Sequence, residues 1–438
     1  MKILRSIGTS LRDGGQSISS ANKLTLLTLI AITAITDWRL IDSGLASHLF
    51  DFGQESLHAV QAWENHGFWS MAGLFSWGQG YLPADTPPQM IYQSKTPLHL
   101  LHLWGAYKLF GTAGFPTFKL VFSLAVTSLN GLLLGWIALL CFPKPKGEKS
   151  SAIPPQLIFV CTYALTISNE SMLRYCLVDE PDYLGLTFWL ATVASLGWWL
   201  QQEGVRSQHT TSPRLAMALG LLTSWTYPIL GAINVISLFL LQLVPMATRL
   251  RHGLRSLLPG AVIGIGFYWL QRSIAKLLIP AKLYGSKLMD RMGLTRDLEY
   301  HDGVLDALDF LFDQRSGGIP KDLRNSQIYD EHTAIWVAGI VLFFIVMARI
   351  SSTRSRVLLT LAAAEAWLLI PLLSQSVAMH GWVYGIHFMP SVVLGWVGAF
   401  SRVLPGHRTE LFAPGALGFV CLLIWVIQLR WFLVAYLA

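Results

Sequence analysis

Charged residues are scarce in this chain: Asp, Glu, Lys and Arg together make up 13% of its 438 residues. A soluble domain carries about twice that fraction, so the composition excludes a soluble globular enzyme. Cysteine is also scarce, and the four cysteines lie in or beside apolar runs without paired spacing. Neither a disulfide framework nor a zinc site is therefore expected. No repeat or low-complexity tract stands out.

Apolar sequence dominates instead, with 53% hydrophobic residues and a mean hydropathy of +0.49. Because a helix needs about 20 apolar residues to cross a bilayer, the length allows roughly a dozen crossings. The net charge of +7 is typical of a membrane protein whose cytoplasmic loops are rich in Lys and Arg, and we expect no nucleic-acid partner. The composition predicts an integral, multi-pass membrane protein in contact with lipid.

Apolar runs that could cross the membrane lie at 24–40, 98–111, 115–142, 154–172, 183–201, 214–228, 230–247, 258–279, 333–350, 357–374, 387–404 and 413–436. The run 98–111 is short and carries His99, His102 and Lys108, so we expect it to lie along the membrane surface. The first run has no small-residue cleavage site after it, and we expect it to remain as the first span.

Charge then decides the orientation. With 98–111 at the surface, the loops on the N-terminal side of the membrane hold 17 Lys or Arg and only four acids, which makes that side cytoplasmic. The sequence predicts an all-α polytopic fold of about eleven transmembrane helices, forming a single domain over 1–438. The first outer loop spans about 42–112 and the second about 280–332. Interfacial helices are expected at 56–74 and 306–312.

Acidic side chains gather at the outer ends of spans. They are Asp51 and Glu55 in the first outer loop and Asp179, Glu180 and Asp182 at the mouth of the fourth span. Carboxylates beside hydrocarbon are costly and often functional, although solvated loop acids would have the same positions. The loop around 179–182 is short, so its acids remain near the bilayer surface.

Basic and aromatic residues accompany these acids. Lys95 follows Tyr92 and precedes Pro97, which begins a helix whose N-terminus suits a phosphate. Arg174 lies five residues before Asp179; snorkelling toward head groups is the alternative interpretation of both cations. The last outer turn holds three further candidates for binding a sugar or phosphate: His380, Tyr384 and His387.

Two glutamates lie inside predicted spans, Glu170 and Glu365. Each is interpreted as a buried, hydrogen-bonded acid. Glu365 lies near the middle of its span, where a proton-coupled transporter would also place one.

Several short motifs follow one another in a distinctive order. Arg39 ends the first span. It is followed, in order, by Asp51 to Glu55, Ala62-Trp63, Gly67 to Trp69, Lys95 to Leu98 and Leu109 to Gly111. Further along the chain come Arg174 and Asp179 to Asp182, before the span at 184, and then His387 to Pro390. This order resembles the GT-C superfamily of polytopic glycosyltransferases, in particular the protein O-mannosyltransferase and lipid A aminoarabinose transferase group. The chain departs from that pattern at Phe52, where a second acid is usual, and at Thr96, where a second proline is usual.

The resemblance implies an inverting glycosyltransferase that moves a sugar from a polyprenyl-phosphate donor to an acceptor hydroxyl of a lipid, glycan or protein on the outer face. Asp51 would be the general base, and Lys95, Arg174 and His387 would stabilise the departing phosphate. Asp182 or Asp179 would position the acceptor, raise the basicity of Asp51 or hold a divalent cation; no other cofactor is expected, and no residue is assigned as a ligand of a resident metal. Tyr92, Glu180, His380 and Tyr384 complete the expected substrate contacts, and the expected location is a bacterial inner membrane.

Two other classes of function remain open. A secondary transporter or lipid flippase would use intramembrane ionisable residues, of which Glu365 is the candidate. A polysaccharide ligase or polymerase would use basic and histidine residues of the second outer loop, with Arg296, His301 and Arg324 as candidates.

Overall fold

The computed structural model of the chain describes residues 20–42, 54–71, 73, 75–76, 90–92, 98–142, 153–177, 181–201, 211–278, 282–284, 327–372, 374–403 and 413–436. For Tyr92, Arg174, Asp182, His380 and Tyr384 it describes the backbone and not the side chain.

Helices make up nearly all of these residues. In chain order they are α1 (Ser20–Asp42), α2 (Gln54–His66), α3 (Leu98–Cys141), α4 (Pro155–Ile167), α5 (Glu170–Leu177), α6 (Pro181–Gln201), α7 (Thr211–Thr226), α8 (Pro228–Gln242), α9 (Thr248–Leu278), α10 (Gln327–Arg349), α11 (Thr353–Leu372), α12 (Ser374–Gly398, continued by a π-helical turn at Ala399–Val403) and α13 (Ala413–Tyr436). The predicted helical, polytopic architecture is confirmed, and each predicted span except 154–172 coincides with one helix or part of one.

Six helices in the described ranges are long and apolar enough to cross a membrane by length and composition: α1, α3, α6, α9, α10 and α13. Three further apolar segments, within α4, α8 and α12, are shorter. Length alone does not distinguish these shorter helices from interfacial or buried ones.

Helix α3 changes direction at Gly111, where φ is 64° and ψ is −168°. A residue with a side chain is strained in this conformation, so the glycine allows the break. The segment before Gly111 matches the predicted surface helix, and the segment after it matches the predicted span 115–142. Leu109 and Phe110 are largely exposed beside the break.

The sequence predicts one helical span over 154–172, but the structure has two helices there. Helix α4 ends at Ile167 and α5 begins at Glu170. Asn169 lies between them and accepts a hydrogen bond from the backbone N–H of Ser171 at 3.1 Å, as an N-cap does. The Ser168-Asn169-Glu170 sequence is a helix-start signal inside an apolar run, and the sequence prediction missed it.

A short three-stranded sheet, which the sequence prediction lacked, joins two distant segments. Strand β2 (Met90–Tyr92) pairs antiparallel with β1 (Phe75–Ser76) and parallel with β3 (Lys282–Tyr284), with Tyr92 opposite Tyr284. The first predicted outer loop supplies β1 and β2, and the second supplies β3. These two segments therefore meet at one end of the helix bundle, which we call the sheet end.

The sheet end also contains the termini of several helices. Leu40 near the end of α1, Leu173 of α5 and Phe432 near the end of α13 share one buried cluster. Ala275 of α9 is buried with residues of α2 and of the first part of α3. The ends of α1, α5 and α13 that sequence analysis assigns to the outer side thus lie together, as do the end of α9 and the first part of α3.

Close helix packing in the interior depends on glycine. At Gly395 of α12 a side chain would collide with the carbonyl of Gly339 in α10, and at Gly260 of α9 it would collide with the carbonyl of Met217 in α7. Small residues let helix backbones approach in this way in membrane proteins.

Candidate functional site

Helix α5 carries Arg174 toward the sheet end and leads into the acidic residues 179–182. It packs against α12 at a point where Gly385 meets Ser171: a side-chain carbon at Gly385 would lie 2.7 Å from the Ser171 hydroxyl oxygen. Arg174 lies one turn beyond Ser171, and Tyr384 is next to Gly385. The backbone therefore brings two predicted site residues from distant parts of the sequence to neighbouring helices.

On α12, the predicted residues His380, Tyr384 and His387 are spaced four and three apart. That spacing places them along one face of the helix, running from the sheet end inward. His387 is the innermost of the three and is completely buried.

His387 belongs to a buried polar cluster of three helices. Its Nδ1 lies 3.0 Å from Oε2 of Glu365 on α11, and Asn234 on α8 donates its Nδ2 to Oε1 of the same carboxylate at 3.1 Å. All three side chains are at most 1% exposed. The interpretation of Glu365 as a buried, hydrogen-bonded acid is confirmed. Sequence reasoning did not pair it with His387, because the two residues lie 22 positions apart on different helices.

Glu170 forms a second buried contact with a histidine. Its Oε2 lies 3.4 Å from Nε2 of His332 on α10, and both side chains are at most 2% exposed. The imidazole of His332 stacks on the indole of Trp431, with ring centroids 5.3 Å apart and an interplanar angle of 20°. The ring of Trp336, one turn further along α10, lies 6.0 Å from the His332 ring. The contact thus ties α5 to α10.

A buried polar row between α3 and α6 leads to Asp182. The Tyr183 hydroxyl donates to the carbonyl of Ser123 at 2.7 Å and lies 2.6 Å from the Thr127 hydroxyl. Asn130 donates to Thr187 deeper in the bundle, at 3.0 Å. Asp182 directly precedes Tyr183 at the start of α6.

Lys119 is a cation that sequence analysis did not consider. It lies on α3 one turn from Ser123, toward the sheet end, and is 1% exposed. Its position within a long apolar run made it look like an ordinary residue of a span; the signal for it was the spacing of Lys119, Ser123 and Thr127 by four, which places all three on one helix face.

The first outer segment is attached to α3 by aromatic and ionic contacts. Phe68 stacks on Trp104, with ring centroids 4.8 Å apart. Glu64 accepts a hydrogen bond from the Trp104 indole and lies 3.3 Å from the Lys108 ammonium. Strand β2 then carries Tyr92, with Lys95 between β2 and α3 in sequence. The predicted interfacial helix 56–74 corresponds to α2 and the turn that follows it.

Several of the predicted site residues fall in parts of the chain that the structure does not describe. Asp51, Lys95, Asp179 and Glu180 lie outside the described residues, as do Arg296, His301, Arg324 and the predicted helix 306–312. The distance between Asp51 and the acids at 179–182 therefore stays a prediction. Among the described residues, no group of three His, Cys, Asp or Glu side chains has an arrangement that could hold a metal ion.

Known proteins match this chain in fold. No protein-family model matches it, and no curated protein sequence does either. A crystal structure of the apo oligosaccharyltransferase of Archaeoglobus fulgidus is similar, with a TM-score of 0.51 at 11% identity over 93% of this chain and 55% of that chain. A second structure of that enzyme, tethered by a disulfide bond to an acceptor peptide containing the NVT sequon, has a TM-score of 0.41 at 13% identity over 76% of this chain and 46% of that one.

The fold is thus a polytopic helical fold similar to that of this oligosaccharyltransferase. The chain spans about half the length of the oligosaccharyltransferase it resembles. The narrower resemblance to the O-mannosyltransferase and aminoarabinose transferase group stays a prediction from the motifs.

Proposed function

We propose that this protein is a membrane glycosyltransferase that moves a sugar from a polyprenyl-phosphate donor to a hydroxyl of a lipid, glycan or protein acceptor. The observation that carries the proposal is the fold: 93% of the chain aligns with an oligosaccharyltransferase at a TM-score of 0.51. The motif order of the sequence supports the same class of enzyme independently of that alignment.

The arrangement at the sheet end supports a site there. Helices α5, α6 and α12 bring Arg174, Asp182 and Tyr384 toward this end, and the sheet brings the segment before Lys95 to it as well. In the proposal the sheet end faces outward, the N-terminus is cytoplasmic and the membrane is a bacterial inner membrane. A lipid-linked donor can then keep its tail in hydrocarbon while its phosphate reaches polar side chains.

The proposed chemistry is a single displacement. Asp51 accepts the proton of the acceptor hydroxyl while that oxygen attacks the anomeric carbon and the bond to the polyprenyl phosphate breaks, which inverts the configuration. Lys95 and Arg174 stabilise the negative charge on the departing phosphate. Asp182 or Asp179 orients the acceptor or holds a divalent cation, and Tyr92, Glu180 and His380 contact the substrates. The burial of His387 against Glu365 favours a role in supporting α12 over direct contact with phosphate.

The direct test is the Asp51→Asn variant, assayed as purified protein in lipid vesicles. The donors would be a panel of polyprenyl-phosphate sugars, with membrane lipids, glycans and proteins offered as acceptors. Because a general base contributes about 10²- to 10⁴-fold, the release of polyprenyl phosphate should slow by that factor.

The matched control is Asp85→Asn, an acid of the same outer loop that the proposal does not use. It should keep the wild-type rate within about twofold, since the proposal gives Asp85 no role and most substitutions outside a functional role have small effects. An unchanged rate in Asp51→Asn would remove Asp51 as the base, and an inactive wild-type protein with every donor would overturn the proposed reaction.

A transporter is the second candidate, and the Asn234–Glu365–His387 cluster is the observation that favours it. An intramembrane carboxylate paired with histidine is a common proton-binding arrangement in pumps and transporters. In that case vesicles containing the protein would show a substrate-dependent proton current that Glu365→Gln abolishes. Such a current without sugar transfer would replace the first proposal.

A further inference from the structure

We propose that Glu170 and His332 are positioning residues that hold α5 in place for the sugar-transfer site. The inference rests on the proposed function, because it assigns these residues to the organisation of that site. Neither residue is placed in contact with the substrate. Their effect passes through α5, which carries Arg174.

Helix α5 is short and separated from the helix before it, so its place depends on contacts with other helices, such as the burial of Leu173 with Leu40 and Phe432. It has eight residues, and helices of that length are not stable alone in water. The chain breaks at Ser168 and Asn169, so the hydrogen-bonded backbone of α4 does not continue into α5. Its first turn is instead capped by Asn169 and lies against α12 at Gly385.

The Glu170–His332 contact adds a polar attachment from α10 to this packing. The two side chains are almost completely buried, at 1% and 2% exposure, with 3.4 Å between Oε2 and Nε2. The stacking of His332 on Trp431 fixes the plane of the imidazole, so α13 also contributes to its orientation. A buried contact of this kind adds little net stability, but removing Glu170 would leave the buried His332 imidazole without this carboxylate beside it.

The position of Glu170 on α5 links the contact to the site. Arg174 is four residues later, one helical turn closer to the sheet end. Asp179 to Asp182 follow directly in the sequence. A shift of α5 would therefore move the proposed phosphate-binding cation and the start of the acidic segment together.

His332 lies in the second turn of α10, just after the second outer loop, and strand β3 of that loop pairs with β2. The contact therefore joins α5 to α10, the helix that follows β3 in the sequence. Strand β3 in turn pairs with β2 of the first outer loop. Two contacts between distant parts of the sequence are thus described here: residues 90–92 with 282–284, and Glu170 with His332.

The test compares Glu170→Gln, His332→Asn and the exchanged pair Glu170→His with His332→Glu. The control is Thr187→Val, which removes the buried hydrogen bond between Asn130 and Thr187 without touching α5. Two measurements are made on each purified protein: hydrogen-exchange protection of the amides in 171–177, and kcat and KM for the polyprenyl-phosphate sugar.

In both single variants, protection of the α5 amides should fall by about tenfold or more, since local opening of a weakly held element controls exchange there. The rate constant kcat should fall about 10- to 100-fold, the effect of a misplacement of about 1 Å, with a smaller change in KM. The exchanged pair should recover protection and kcat to within a few-fold of wild type, and Thr187→Val should leave α5 protection unchanged.

Unchanged protection of α5 in the single variants overturns the inference, and so does an exchanged pair that recovers nothing. If Glu170→Gln does not yield folded protein, Glu170→Asp replaces it: the shorter side chain should give an intermediate loss of protection, and full protection overturns the inference. Exchange is measured without substrate. A loss of α5 protection in a protein whose wild type transfers no sugar would therefore sustain the positioning role and refute only the proposed function.

Discussion

Two carboxylates in this bundle, Glu170 and Glu365, are buried beside histidines. Their burial determines how strongly a substitution there changes the free energy of unfolding. Moving a charged group out of water costs several kcal/mol, so a buried acid depends on its partners. The Glu64–Lys108 pair is different: its side chains are 34% and 52% exposed. Exposed pairs of this kind contribute about 0–1 kcal/mol.

Replacing Glu365 with alanine should therefore destabilise the protein strongly. Asn234 and His387 would lose the carboxylate they share, and removing one member of a buried set costs about 3–5 kcal/mol. Denaturant titration in detergent micelles, followed by tryptophan fluorescence, would measure the change. Glu64→Ala is the control and should change the free energy of unfolding by no more than about 1 kcal/mol. Equal effects of the two substitutions would contradict the structural role of Glu365.

At the scale of elements, two breaks in long apolar runs determine where the helices point. One lies at Gly111 in α3 and the other at Ser168–Asn169 between α4 and α5. Each break turns a helix near the sheet end. The first separates the predicted surface segment from the predicted span 115–142, and the second separates α4 from the short helix that carries Arg174.

Gly111→Ala tests the first break. An alanine at φ 64° and ψ −168° is strained, so the substitution should cost about 1–3 kcal/mol in the free energy of unfolding. Gly105→Ala is the matched control, because this position lies in regular helix with nothing within 4 Å of the added carbon. It should leave stability unchanged or raise it by about 0.5–1 kcal/mol. The same denaturant titration compares the two; a neutral Gly111→Ala would show that the break does not depend on glycine.

The long apolar runs were sufficient to predict the helices and the break before Thr112, because hydropathy and length act locally. The α4–α5 break was missed because a polar triplet inside a 19-residue apolar run looked like part of one span. Pairings across distant elements, such as Glu170 with His332 and β2 with β3, depend on tertiary packing and leave no local pattern. His387 was predicted as a site residue from its outer position, but its depth follows from how α11 and α8 pack around it.

At the scale of the whole molecule, charge asymmetry predicts that the sheet end faces outward. Single cysteines introduced in a Cys176→Ser background would test this, since Cys141, Cys161 and Cys421 are buried. Ser70 is exposed near α2, and Gln201 is exposed at the far end of α6. A membrane-impermeant maleimide should label Ser70→Cys in intact cells and Gln201→Cys only after permeabilisation. The reverse pattern would invert the topology.

The pairing of β2 with β3 also has a consequence for biosynthesis. Met90 lies opposite Lys282, so roughly two-thirds of the polypeptide must leave the ribosome before β2 gains its second neighbour, during vectorial synthesis from the N-terminus. Until then β1 and β2 form only a two-stranded ribbon, which is marginally stable by itself. A nascent chain stalled before β3 would therefore expose an incomplete edge to the translocation and quality-control machinery, even with its early helices already inserted.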